Sequence, residues 1–157
     1  MELWIVRHGQ TIDNVKKLIQ GHKPGKLTDQ GILEARLTGT VLATEEFQEI
    51  YCSDLFRTRE TLEGILLSFS NIEKLSINYT PILREKSGGI LEGLPLSTFK
   101  EQAEKSDIPF RQFKVEDGES WEDVNARANK FLDLLIEKYL SDKNICTSAT
   151  SPRSEEH

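Results

Sequence analysis

The stretch Leu3-Trp4-Ile5-Val6-Arg7-His8-Gly9-Gln10-Thr11 carries the first decision about the fold. Its apolar run is too short for a helix and stops at Arg7-His8-Gly9, so it reads as a strand buried on both faces that ends in a loop. In open α/β sheets, ligands bind at loops leaving the carboxyl ends of strands. Arginine beside histidine has a chemical meaning in that place. The guanidinium offers a fixed fork of donors to phosphate oxygens, and a neutral imidazole can attack phosphorus when its other ring nitrogen is held by an acceptor. Arg-His-Gly alone fits a surface turn with an incidental histidine equally well.

Working outward, Pro24 and Gly25 break a polar segment over residues 20–26, and Thr28 is placed to cap a helix. Ile32, Ala35, Leu37, Val41 and Leu42 fall near one stripe of that helix, while Gly31 and Gly39 count against it. Residues 49–53 predict a second strand, followed by a helix over about 56–68 that offers Thr61, Leu62, Ile65 and Leu66 to a core. Residues 76–83 alternate as a third strand, which Pro81 places near an edge or a strand end. Gly88-Gly89 and Gly93-Leu94-Pro95 mark turns, residues 97–105 a short helix, and 106–118 an irregular segment. From Ser120, a cap by residue type, Trp121, Val124, Ala128, Phe131, Leu132, Leu135 and Tyr139 step by three and four, the clearest amphipathic helix in the chain. Strands alternating with helices predict an α/β fold, a three-layer sandwich around a mostly parallel sheet.

The chain has 157 residues, one domain's length on the prior of ~150 residues per domain. Twenty Lys and Arg against 26 Asp and Glu leave a formal charge of −6, which argues against broad binding to nucleic acid or anionic membranes. No apolar run approaches the ~20 residues that span a bilayer. Cys52 and Cys146 lie far apart without metal-ligand spacing, so neither a disulfide framework nor a zinc site is expected. The first residues lack the pattern of a secretory signal, and the expected setting is cytoplasmic.

Two further strand ends carry matching chemistry. Ser53-Asp54-Leu55-Phe56-Arg57-Thr58-Arg59-Glu60-Thr61 follows the second strand and opens a helix, placing Arg57 where unpaired N–H groups and the dipole favour an anion. Glu85 follows the third strand, in a loop that can bring a carboxylate to a leaving-group oxygen. Singly, Arg57 fits a solvated first helical turn and Glu85 a plain surface glutamate.

Together, Arg7-His8-Gly9-Gln10-Thr11, the Ser53 to Thr61 segment and Leu83-Arg84-Glu85 resemble the histidine phosphatase superfamily, whose first block reads Arg-His-Gly-Glu/Gln-Thr. Asn14, Gln20-Gly21, Leu27-Thr28, Gly31 and Gly118-Glu119-Ser120 match it further, and the resemblance covers about residues 1–143. Ile19-Gln20-Gly21, Gly64-Ile65-Leu66 and the run from Leu83 through Leu91-Glu92-Gly93 are similar to its TIGAR-type fructose-2,6-bisphosphatase branch. The resemblance implies a phosphoglycerate mutase-like fold and two-step phosphoryl transfer without metal or organic cofactor. It implies His8 as the nucleophile, Glu85 as proton donor and acceptor, and Arg7, Asn14 and Arg57 as phosphate contacts. Gln20, Gly21, His22 and Arg84 are candidate substrate contacts. Phosphoryl transfer asks mainly for charge-complementary positioning, which these residue types supply.

The resemblance also implies a second histidine, in a Ser-His-Gly-like block ending a strand after the long helix. Asn144-Ile145-Cys146 begins as such a strand would, but Thr147-Ser148-Ala149-Thr150-Ser151-Pro152 stands in place of the block. The other histidines are His22, in a polar loop, and His157. The expectation is a histidine phosphatase-like domain over 1–143 with its last sheet strand or strands missing or altered, a divergent disordered tail over 144–157, and reduced activity. The expected function is phosphomonoester hydrolysis through a phosphohistidine on a small phosphorylated metabolite, fructose 2,6-bisphosphate being favoured. A noncatalytic phosphate-binding or regulatory remnant is the reading from another class. A phosphoglycerate mutase ranks last, because mutases usually carry a longer insertion after the segment matching Glu85. The expected partner is the small substrate, with no nucleic acid and no membrane.

Overall fold

β1 (Glu49–Ser53) and β2 (Ser76–Thr80) pair in parallel in the computed structural model, which describes residues 2–140. The register runs from Glu49 opposite Ser76 to Ser53 opposite Thr80. Side chains alternate along a strand. Glu49 and Tyr51 therefore share one face and meet the long helix α5 (Trp121–Leu140), Tyr51 lying edge-on to Phe131 with ring centroids 5.2 Å apart. Cys52 turns to the other face, beside Thr58 of α3 (Phe56–Leu66). α3 is the crossover that parallel pairing of β1 and β2 requires. With α2 (Asp29–Leu42) packed on α3, helices cover both faces of a parallel sheet, as the alternation of elements predicts.

The face of α2 that does the packing differs from the expected stripe. Ala35 and Leu42 are buried together with Gly31 and Gly39, whereas Leu37 and Val41 are 56% and 65% exposed. Small residues line the contact with α3: a Cβ at Gly39 would collide with the Ile65 carbonyl, and one at Gly64 would lie 2.8 Å from the Ala35 Cβ. Glycine costs ~1 kcal/mol relative to alanine in a helix interior. Close approach of the two helices offsets that cost, so the residue that counts against the helix is the one that lets it pack.

Element ends follow local chemistry. The Thr28 hydroxyl caps α2 by accepting from the Gly31 amide at 3.1 Å. Ser120 and Asp123 form a reciprocal capping box at the start of α5. β2 stops at Thr80, earlier than the expected Leu83, because Pro81 has no N–H and the chain turns through a 3₁₀ segment over Pro81–Leu83. α4 (Leu96–Glu104) lies close to its expected position. The four-residue α1 (Ile12–Val15) has no apolar pattern to announce it and rests on a capping box between Thr11 and Asn14.

Leu3–Val6 corrects the sequence reading. These residues form no strand among the described residues and are not buried: Leu3, Trp4, Ile5 and Val6 are 49%, 45%, 87% and 45% exposed. Trp4 packs edge-on to Phe47 at 6.2 Å between centroids. An apolar run reports a tendency to be buried, whereas a ladder needs a neighbouring strand in register, which the run itself does not encode. The expected strand from Asn144, the domain end at 143 and the tail over 144–157 lie outside the described residues.

Ile19, Leu91, Ala103, Phe113 and Val115 form a buried apolar cluster with Phe99 packed against it. Its chain segments are tied by backbone bonds, Ile19 N–H to Leu94 C=O at 2.8 Å and Gly93 N–H to Ile19 C=O at 2.7 Å. This cluster anchors both the loop after Ile19 and the loop that carries Glu85.

Candidate active site

Gly9 sets the place of His8. Its amide donates to the Thr61 hydroxyl at 3.1 Å, and a Cβ there would lie 2.5 Å from the Gly31 carbonyl oxygen, so glycine lets the loop rest on the start of α2. The His8 Nδ1 lies 2.8 Å from the Gly9 carbonyl oxygen. A carbonyl only accepts, so Nδ1 carries the proton and Nε2 keeps its lone pair. Burial is the main force holding the imidazole below its ordinary value of 6.5; the Gly9 carbonyl opposes it, Arg57 and Arg7 reinforce it, and Glu85 opposes it. The result is a neutral imidazole within the fields of two arginines and one carboxylate.

Arg57, the second residue of α3, is 1% exposed. Its Nη1 donates to the Lys23 carbonyl and its Nη2 to the Gly21 carbonyl, each at 2.9 Å. The buried Nε finds no acceptor among the described residues, and no carboxylate there comes within ion-pair distance. Burial pulls the guanidinium below its ordinary value, and Glu85, Asp13 and Glu92 favour its charge from farther away. A buried cation without a counter-charge is costly, and a planar fork with unused donors is suited to an oxyanion.

The other expected residues occupy different settings. Arg7 is exposed and its side chain makes no hydrogen bond among the described residues. Asn14 is exposed and spends its Oδ1 on the Thr11 amide at 3.0 Å, leaving the NH₂ group as a donor. Glu85 is exposed beyond the end of β2, with its Oε1 accepting from the Lys86 amide at 3.0 Å. The four candidate substrate contacts all have partners inside the fold. Gln20 is buried and accepts from the Thr11 hydroxyl at 2.9 Å. The Gly21 carbonyl holds Arg57, and His22 Nε2 donates to the Glu85 carbonyl at 2.9 Å. Arg84 forks onto Asp54 at 2.7 and 2.6 Å, bracing the end of β1 against the end of β2, and this hydrogen-bonded pairing holds Asp54 below the usual carboxylate range.

Sequence reasoning gave no part in the site to four residues that hold these loops. Thr61 supports Gly9. Glu92 accepts from the amides of His22 and Gly88 at 2.7 and 3.0 Å. Glu119 accepts from Arg127 Nε at 2.9 Å and from the Ser87 amide at 2.8 Å. Arg127 also reaches the Ile82 carbonyl at 2.9 Å. One signal was readable: Arg127 lies between Val124 and Phe131 at three- and four-residue steps, a charge within the apolar stripe of α5. Among the described residues no group of three or more His, Cys, Asp or Glu is placed to hold a metal, and no helix is long and apolar enough to cross a membrane.

The parallel α/β sheet with helices on both faces belongs to the phosphoglycerate mutase-like class of phosphatase folds, and it carries a neutral His8 imidazole that feels the charges of Arg57, Arg7 and Glu85. Residues 3–150 match the profile of the histidine phosphatase superfamily (branch 1), and the chain belongs to that family. Fructose-2,6-bisphosphatase TIGAR of Mus musculus is 32% identical over 139 residues, 88% of this chain and 52% of the relative. A broad-specificity phosphatase of Saccharomyces cerevisiae is 36% identical over 130 residues, 81% of this chain and 54% of the relative. The chain thus spans about half the length of the curated relatives it matches. The crystal structure of TTHB049 from Thermus thermophilus superposes with a TM-score of 0.68 at 32% identity, covering 85% of this chain and 72% of that one. A mycobacterial glucosyl-3-phosphoglycerate phosphatase gives 0.69 at 27% identity, covering 84% and 62%.

Proposed function

We propose that the chain is a phosphomonoester hydrolase that works through a phosphohistidine on His8. The observation that carries this reading is the state of that imidazole: Nδ1 is committed to the Gly9 carbonyl and burial keeps the ring neutral, so Nε2 is a nucleophile at neutral pH. Nε2 attacks phosphorus, the N–P bond forms as the P–O bond to the leaving alcohol breaks, and Glu85 gives that oxygen its proton. Glu85, now a carboxylate, takes a proton from water as the water oxygen displaces Nε2 and releases inorganic phosphate. Arg57 and Arg7, with the Asn14 NH₂, hold the phosphoryl oxygens, and the orphaned Arg57 Nε gains the acceptor it lacks.

The substrate is a small phosphorylated metabolite. A sugar bisphosphate such as fructose 2,6-bisphosphate is favoured by the similarity to the TIGAR enzymes. We expect reduced turnover, because Thr147-Ser148-Ala149-Thr150-Ser151-Pro152 stands in place of the family's Ser-His-Gly-like block. One missing preorganised donor costs ~100–1000-fold in rate. The proposed chemistry is tested by trapping acid-labile phosphate on the protein after exposure to a phosphomonoester: label on His8 that is lost in His8→Ala supports it, and label that persists in the variant rejects it.

A further inference from the structure

Three consecutive residues face two partners. Gly21 and Lys23 turn their carbonyls to the Arg57 guanidinium, each at 2.9 Å, and His22 between them turns its imidazole to the Glu85 carbonyl, also at 2.9 Å. Gly21 makes the turn with φ +50°, where a side chain would collide with Glu92. The His22 amide is itself held by Glu92 Oε1 at 2.7 Å. The same Glu85 carbonyl receives a second bond, from Arg127 Nη2 at 3.1 Å, and Arg127 is oriented by Glu119.

The Glu85 side chain is exposed and bonds only to the amide of the next residue among those described. Its backbone, from which the carboxylate reaches out, is held at the Glu85 carbonyl by His22 and Arg127. We infer that His22 is a positioning residue, the centre of a Gly21–His22–Lys23 strut that fixes the spacing between the Arg57 guanidinium and Glu85. The groups that hold the phosphoryl oxygens and protonate the leaving group then stay in register with each other. The inference rests on Glu85 being the general acid.

His22→Ala and His22→Gln, compared with the parent 157-residue chain, test it on two substrates. Glycerol 2-phosphate has a leaving group that needs a proton, and nitrophenyl phosphate has one that needs little. A misplacement of ~1 Å costs up to ~100-fold, so His22→Ala is expected to lose ~10–100-fold in kcat on glycerol 2-phosphate and far less on nitrophenyl phosphate. Orthovanadate affinity should stay at the parent value, since the carbonyls that hold Arg57 are backbone groups. His22→Gln places an N–H donor at similar reach and should restore kcat. Amide hydrogen exchange over residues 84–88 should quicken in His22→Ala. Equal losses on both substrates, failure of the glutamine to restore, or unchanged exchange would each overturn the strut. Glu85→Gln in parallel separates the two ideas: if it shows no leaving-group dependence, the general-acid reading fails, while the exchange measurement still decides the strut.

Discussion

Arg57 is a charge carried into a place where nothing described neutralises it, and its planar fork matters as much as its sign. Two of its donors are taken by the Gly21 and Lys23 carbonyls, and lysine offers a point charge that cannot reach both and a ligand together. Arg57→Lys is expected to lower kcat/KM on nitrophenyl phosphate by ~100–1000-fold, the usual effect of removing a preorganised donor. A lysine variant equal to the parent would reassign Arg57 to the scaffold. His8 gives a pH dependence at the same scale. Burial lowers its pKa, so the active neutral form persists below the ordinary 6.5. The acid limb of phosphohistidine formation in single-turnover measurements should therefore have its midpoint below that value, and a midpoint above it would contradict the buried setting. The linked stability has the opposite sign from a salt-bridged histidine: it is complete above 6.5 and declines as pH falls toward the lowered value, because the unfolded chain takes up the proton first. The identities of these residues were legible in the chain. The tautomer of His8 and the partners of Arg84 were not, since each depends on a group placed by folding.

At the scale of elements, α2 and α3 meet through glycine and alanine, and Gly39 is the tightest point because its neighbour is backbone rather than a movable side chain. Gly39→Ala improves helix propensity and should nonetheless destabilise by ~1–3 kcal/mol, the usual cost of overpacking. Urea denaturation measures this, and a stabilised variant would show that the helices separate freely. The other face of the sheet is clamped to α5 by polar groups. Glu49 accepts from Lys138 at 2.7 Å, from Asn78 at 2.8 Å, and from the hydroxyls of Tyr51 and Tyr139. The Lys138 bond, then the Tyr139 bond, holds the Glu49 carboxyl at about 2, while the Tyr139 hydroxyl is pushed up to about 12. A carboxyl lowered on folding stabilises fully above its ordinary 4.5, and that contribution disappears as pH falls toward about 2. The stability difference between the parent and Glu49→Gln should thus shrink across this acid window. A constant difference would remove Glu49 as the titrating group. Periodicity located α5 from the sequence together with the face it uses, since Val124, Phe131, Leu135 and Tyr139 of the expected stripe turn inward, while Trp121, Ala128 and Leu132 of that stripe are exposed.

For the whole molecule, the largest departure from the sequence reading is at Leu3–Val6, a run of exposed apolar residues with no ladder among those described. Ile5 at 87% exposure is its most open member. Exposed apolar stretches favour association, and the chain should self-associate with rising concentration in sedimentation experiments. Ile5→Lys should reduce that association while changing stability by no more than ~0.5 kcal/mol, as for ordinary surface substitutions. A lysine variant that unfolds would show that Ile5 is buried in solution.

What the sequence determined by itself was local in origin: the caps at Thr28 and Ser120, the strand over Glu49–Ser53, and the three chemical blocks that mark a phosphatase family. Each is encoded by residues within a few positions of one another, where hydrogen bonding, propensity and side-chain spacing act directly. Tertiary structure decided what depends on distant partners. It chose the small-residue face of α2, left Leu3–Val6 unpaired among the described residues, committed Arg84 to Asp54, and placed His22 between Arg57 and Glu85. Those outcomes rest on contacts between residues far apart in the chain, such as Arg84 with Asp54 and His22 with Glu85, and the physics that selects among such partners is the packing of the whole chain.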